Sequence, residues 1–168
     1  MPRRDRAAAG LLSFFIFVAF TVELYFVCNR GQLAQRGDWI ARGLAFYGRG
    51  DRGYYDHVSS FELGLESFNV FFTQFLNIAT LYGIIRKRVW RYPVQIIAAS
   101  YVCYSTTLYL LANHLAGYSE MPRHDLASML IFYVPNLPWL LGNAWLALDA
   151  GCGITAAFQR GERVVPSI

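Results

Sequence analysis

Charge is what this chain has least of. Only 15% of its 168 residues are Asp, Glu, Lys or Arg, whereas a soluble domain carries about 25%. That deficit argues against a soluble globular enzyme. Lysine is nearly absent, Lys87 being the one lysine among 15 basic residues; with abundant Gly, Ala and Arg, this is the composition of a GC-rich genome. Cysteine is scarce as well. Cys28, Cys103 and Cys152 form no CxxC or His-paired set, which excludes a disulfide framework and a zinc site and leaves structural packing as their role.

What the chain has instead is apolar length. It is 55% hydrophobic and 17% aromatic, and apolar runs cover residues 11–28, 61–85, 93–116 and 126–150. Each has or approaches the ~20 residues needed to cross a bilayer core. One such run could be the buried helix of a soluble protein, but four in a row predict an all-α membrane protein. The expected architecture is a bundle of four transmembrane helices forming a single domain over residues 1–168. The first run follows Arg3, Arg4 and Arg6 as a signal peptide would, yet it is long, lacks a small-residue cleavage site and contains Glu23, so it is read as helix one.

The basic residues flank the runs and make no continuous face, which argues against nucleic-acid binding. In a four-helix topology Arg3, Arg4, Arg6, Arg86, Lys87, Arg88, Arg91, Arg160 and Arg163 fall on one side. Arg30, Arg36, Arg42, Arg49, Arg52 and Arg123 fall on the other. The positive-inside rule then puts both termini in the cytoplasm, at the endoplasmic reticulum in a eukaryote or the plasma membrane in a bacterium.

Helix two carries acid where a membrane helix should have none. It opens Ser59-Ser60-Phe61-Glu62, the pattern of a capping box. Glu62, Glu66, Asn69, Thr73, Asn77 and Thr80 then recur at steps of three and four, on one helical face. A carboxylate at the bilayer centre costs roughly 2.5–3.5 kcal/mol and is kept where it has a task. Glu23 lies about five residues before the outer end of helix one and Glu66 about five residues after the outer start of helix two. At 1.5 Å per residue both are roughly 7 Å below the same surface, where they can face each other. The alternative is that each pairs with a loop arginine.

The loop between them contains Gly48-Arg49-Gly50-Asp51-Arg52-Gly53. That string reads as GxGxxG and contains Arg-Gly-Asp, but no βαβ unit surrounds it, so neither motif applies. Trp39, Ile40, Leu44, Ala45 and Phe46 are spaced as a short amphipathic segment lying over the bundle. Asp51 and His57 in this loop, and His114 at the outer end of helix three, are candidates for supporting roles. Helix three begins at Pro93 and places Ser100, Tyr104, Thr107, Leu111 and His114 on one face. Helix four has Pro135 and Pro138 beside Asn136, and Asn136, Trp139 and Asn143 share a face.

A carboxylic acid in apolar surroundings stays protonated and can act as a general acid. It can protonate an alkene, and aromatic rings can shelter the resulting cation. Removal of a second proton completes an isomerisation without a cofactor. The same parts would hold a lipophilic amine. A proton-coupled transporter is disfavoured, since no internal repeat or pair of broken helices is evident.

Several segments resemble a known family. Phe46-Tyr47-Gly48-Arg49-Gly50-Asp51-Arg52-Gly53-Tyr54, Glu66, Leu108-Tyr109-Leu110, and Asn136-x-x-Trp139-Leu140 running to Leu148-Asp149-Ala150 are similar to the emopamil-binding protein and the wider EXPERA family. The resemblance covers roughly residues 15–150. It implies a membrane helical bundle with a lipid-sized pocket inside the membrane and cofactor-free sterol Δ8–Δ7 isomerisation, or non-catalytic lipid binding as in other members. Carried over, it gives Glu23 and Glu66 as the acids, Asn136 as a polar anchor and Trp139 as the cation-stabilising ring. Ala19 stands where sterol isomerases have a His, and Thr106 where they have a helix-three acid. These differences turn the expectation from sterols toward an isoprenoid or other natural-product alkene.

The expected catalytic set is therefore Glu23, Glu66, Trp139 and Asn136. The expected substrate-binding set is Tyr104, Thr106, Thr107, Asn69, Thr73, Asn143 and Glu62. No metal or cofactor is expected. The expected partners are a lipophilic small molecule and membrane lipid, with a homodimer as one assembly and no nucleic acid.

Overall fold

The computed structural model describes residues 1–161; Arg163, counted above on the inner side, lies outside the described residues. Among those residues every regular element is helical and no strand occurs. Three helices are long and apolar enough to cross a membrane: α1 (Arg3–Asn29), α3 (Ser60–Ile85) and α4 (Arg91–Leu115). The short α2 (Trp39–Tyr47) lies in the loop after α1. The last helical stretch consists of α5 (Leu126–Tyr133), a 3-10 turn over Val134–Asn136 and α6 (Leu137–Gln159). Trp, Gly, Asn and Asp dilute the hydropathy of α6, which is not among the three spanning candidates.

Local chemistry sets the helix starts. Asp38 accepts from the Ala41 amide at 3.1 Å to open α2, and Asp125 accepts from the Ser128 amide at 2.8 Å to open α5. Ser59 caps α3 as its sequence predicts, accepting from the Phe61 amide at 3.2 Å. The expected capping box stays half-made, however. Glu62 turns inward beneath Gly53, and its Oε2 has no hydrogen-bond partner among the described residues. Pro135 and Pro138 remove two amide donors from the helical ladder, and the 3-10 turn stands at that break.

α4 runs along α6, and α3 packs between α4 and α1. Ala8, Leu12, Phe15, Ile84, Ala99 and Leu146 form the central core. Large side chains such as Phe17, Phe71, Phe75, Ile97 and Leu148 point outward and are well exposed, an apolar girdle of the kind that lipid covers. At one end of the bundle Asp5 pairs with Arg91 at 2.5 Å and Arg4 with the buried Asp149 at 2.7 Å. Gln95 also donates to Asp149, at 3.2 Å. At the other end the loop after α1 is tied to the loop before α5: the Arg52 amide donates to the Glu120 carbonyl at 2.9 Å, and His57 meets the Glu120 carboxylate at 2.8 Å.

Tyr104 and Thr107, expected in the substrate-binding set, lie on a face of α4 that this packing leaves outside. Ser100, Tyr104, Thr107, Leu111 and His114 are all exposed. The buried face is the opposite one, with Gln95, Ala98, Ala99, Val102, Thr106, Tyr109 and Asn113. Serine and threonine hydroxyls bond readily to their own helix, which lets them sit on an outer face. Tyr109 and Gln95, in contrast, find fixed partners inside.

Candidate functional site

A cavity of about 430 Å³ lies between the loop after α1 and the halves of the long helices nearest to it. Its size falls within the range of small-molecule sites. Glu23, Glu66, Asn69, Thr106, Asn136 and Trp139 all line it, together with Tyr47, Tyr54 and Tyr109. Apolar side chains such as Val22, Phe26, Leu65 and Val102 make up much of the remaining wall, and α2 adds Trp39, Ile40, Leu44 and Phe46. The amphipathic segment seen in the sequence thus covers the cavity.

The acids are brought together by two irregular turns. α1 widens into a π-helical turn over Ala19–Glu23 and α3 does so over Asn69–Thr73, and the two turns touch. A π turn inserts one residue into the helical ladder and re-aims the side chains at its ends. Here those ends are Glu23 and Asn69, and Asn69 donates to Glu23 Oε2 at 2.6 Å. Behind Asn69 a buried row of amides points the same way. Asn77 donates to Gln74 at 3.0 Å, and Gln74 donates to Asn69 at 3.1 Å. Glu66 interacts directly with Glu23 and accepts from the Tyr54 hydroxyl at 2.6 Å. Among the described residues no arginine bonds to either acid, so the alternative of two carboxylates paired with loop arginines does not apply.

Trp139 forms the opposite wall. Phe15 stacks on the indole with centroids 4.5 Å apart and planes 24° from parallel. The close approach depends on Gly142, where a Cβ would lie 2.8 Å from Phe15 Cζ. Asn136 donates to the Phe132 carbonyl at 2.7 Å and to the Tyr47 hydroxyl at 3.0 Å, so the proline-broken turn is tied to α2.

The remaining candidates separate. Tyr104 and Thr107 are exposed on the outer face of α4 and do not line the cavity. Thr73 and Asn143 are buried but lie outside its lining; Asn143 bonds to the Trp139 carbonyl at 2.9 Å. Glu62 is buried beside Gly53 and Asp51, next to the site but outside it. Asp51 is buried and accepts from Tyr109 and from the Gly53 amide. His57 and His114 are exposed; His57 holds Glu120, and His114 meets the Tyr118 hydroxyl at 3.0 Å.

The GxGxxG string serves packing. A Cβ on Gly48 would lie 2.7 Å from Tyr55 Cβ, and one on Gly53 would lie 2.9 Å from Asp51 Oδ1. These glycines let the loop fold tightly over the cavity.

Comparison with known families fits this arrangement. The family described as EXPERA (EXPanded EBP superfamily) matches residues 39–150. The chain belongs to the EXPERA superfamily. Membrane-length helices together with this membership mark it as a membrane protein. The superfamily includes sterol isomerases. The EXPERA match takes in Asp51, Glu66, Asn136 and Trp139 and begins after Glu23. A comparison with curated proteins finds no match.

Three tyrosines in this EXPERA site were not singled out by the sequence reading. Tyr47, Tyr54 and Tyr109 pack edge to face, with Tyr54 5.1 Å from Tyr47 and 5.9 Å from Tyr109. All three lie within the segments that carry the family resemblance, and that position was the available signal. Phe15 offered none, because an aromatic residue in an apolar run is indistinguishable from lipid-facing neighbours.

Proposed function

We propose that this chain is a cofactor-free membrane isomerase or cyclase acting on a sterol, isoprenoid or other lipophilic alkene. The observation that carries the reading is the meeting of Glu23 and Glu66 in one largely apolar cavity, across from Trp139. Two adjacent carboxyl groups hold one negative charge far more cheaply than two, so the pair keeps a proton to give. Transfer of that proton to an alkene carbon leaves a cation within reach of the indole, whose π face stabilises it. Asn69 and Tyr54 fix the two carboxyl groups by hydrogen bonds, and Asn136 anchors the far wall.

In this reading the last helical stretch completes a bundle of four spans, with the cavity inside the membrane and sized for a lipid. One domain covers residues 1–168, and both termini are cytoplasmic. The clustering of Asp5, Arg91, Arg4 and Asp149 at the bundle end opposite the cavity supports that topology. A second reading, a non-catalytic binder of lipophilic amines, draws on the same acids and ring and is favoured by Ala19 in place of the sterol isomerases' His.

The test is to incubate membranes containing the protein with a Δ8 sterol and with isoprenoid alkenes in heavy water. Product carrying solvent deuterium is expected, and Glu66→Gln should lower its rate by roughly 10²–10⁴. Turnover by Glu66→Gln at the wild-type rate would remove the acid assignment. Saturable amine binding with no product from any alkene would favour the binder.

A further inference from the structure

The hydrogen bonds above the cavity have a direction. The Asn136 amide nitrogen can only donate, and it donates to the Tyr47 hydroxyl at 3.0 Å. The Tyr47 and Tyr109 hydroxyls lie 3.3 Å apart, and Tyr109 donates onward to Asp51. An ionised carboxylate only accepts, so Tyr109 commits its single proton to Asp51, and the Tyr47 proton then points at Tyr109. One lone pair on Tyr47 is left over, in a residue that lines the cavity. Protonating Asp51 reverses the row. Asp51 then donates to Tyr109, Tyr109 donates to Tyr47, and the Tyr47 proton turns away from Tyr109. The row therefore has two states that differ by one proton in total, and in passing between them the Tyr47 hydroxyl changes from acceptor to donor toward the cavity.

The far end suits a group that stores a proton. Asp51 is only 1% exposed, and its Oδ1 is held by the Gly53 amide at 2.8 Å. Burial pushes its carboxyl above the usual range, with the charge of Glu120 adding to the effect. Glu62 lies beside it. Glu120 is bound in turn by the exposed His57, which places this end of the row next to solvent-facing residues.

We infer that Tyr47, Tyr109 and Asp51 form a proton relay, in which the Tyr47 hydroxyl exchanges a proton with the molecule in the cavity and Asp51 stores it. The chemical role given to the relay rests on the isomerase reading. Once the Glu23–Glu66 pair has protonated an alkene, a neighbouring carbon must lose a different proton. Its C–H bond breaks and the electron pair becomes the new π bond. The proton lands on Tyr47 Oη, the Tyr47 proton passes to Tyr109, and the Tyr109 proton passes to Asp51. A C–H beside a carbocation is acidic enough for a phenol oxygen to take its proton, provided the phenol can hand its own on. The acid pair ends one proton poorer and Asp51 one richer, and exchange with water resets both.

The relay can be tested without turnover. Full-length protein in lipid nanodiscs is loaded with N,N-dimethyldodecylamine, whose ammonium group is a cationic occupant able to donate to Tyr47. Infrared difference spectra are recorded at a pH where the protonated-carboxyl band that Asp51→Asn removes is half developed. Amine binding should weaken that band in the wild type but leave it unchanged in Tyr109→Phe and in Tyr47→Phe, which break the row at different links. A band that does not respond in the wild type, or that responds equally in both variants, overturns the relay. A second arm uses, in heavy water, an isoprenoid with a trisubstituted double bond, whose protonated carbon already carries a hydrogen that the acid pair can take back in place of the deuteron. Both phenylalanine variants should lose product roughly a hundredfold while recovered substrate still gains deuterium from the acid pair. Loss of product and exchange together would also overturn the relay. A responding band with no turnover of any alkene leaves the relay in place and removes the isomerase reading.

Discussion

Replacing Gly50 with alanine should loosen the cover of the cavity. A Cβ at Gly50 would sit 2.8 Å from the Phe132 amide nitrogen and 3.1 Å from both the Ser128 carbonyl oxygen and Ile131 Cγ2. Two of those three atoms belong to the backbone of α5 and cannot rotate aside. Overpacking of this kind costs about 1–3 kcal/mol, so the loop must either lift from α5 or strain it. Gly64, on the exposed side of α3, provides the control, because nothing lies within 4 Å of an added Cβ there. At an open helical site the same change gains about 0.5–1 kcal/mol of helix propensity. One methyl group is thus expected to act with opposite signs at the two positions. Thermal unfolding in a single detergent should place Gly50→Ala below the wild type and Gly64→Ala above it. Wild-type melting of Gly50→Ala would refute the packing of the loop on α5.

Two further perturbations address the two ends of the bundle. Asp5→Ala leaves Arg91, whose side chain is 6% exposed and whose Nη1 has no hydrogen-bond partner among the described residues, without its carboxylate. Breaking a buried pair in this way should cost about 3–5 kcal/mol, read as a lower unfolding midpoint, and a midpoint equal to wild type would count against the pair. At the loop end, the hydrogen bond to Glu120 raises the His57 imidazole above its usual range. Its folded value therefore exceeds the unfolded one, near about 6.5. The resulting stabilisation is complete below that pH and is lost as pH rises through the folded value. Melting temperature should fall across this interval in the wild type and fall less in Glu120→Gln; equal slopes would show that the contact contributes nothing.

Much of the fold was legible because bilayer-length apolar runs and capping residues are local signals. Ser59 caps α3 through its own side chain as its sequence predicts, while the caps at Asp38 and Asp125 are of the same local kind but were not singled out. The polar stripe of α3 was legible too, since six polar residues at steps of three and four in an apolar run must share one side of the helix. Tyr104 and Thr107 were expected in the substrate-binding set because polar groups at helical spacing look the same whichever way their face points. Thr106 and Tyr109 differ from Thr107 and Tyr104 only in what the other helices bring beside them. The π turns at Ala19–Glu23 and Asn69–Thr73 were invisible for a related reason. No residue type marks them, and they are held by the tertiary contact between Glu23 and Asn69.

The cavity is assembled from two unlike sources. Its carboxyl groups and indole stand on long helices wedged into the central core, whereas α2 and the glycine-rich segment beside it come from a connecting loop. The acid pair and the cavity's cover thus come from separable stretches of chain. If the proposed reading holds, exchanges within the loop would resize the chamber and change which molecule is admitted while the acids keep their registration, so one bundle would serve different lipophilic guests without re-inventing its chemistry.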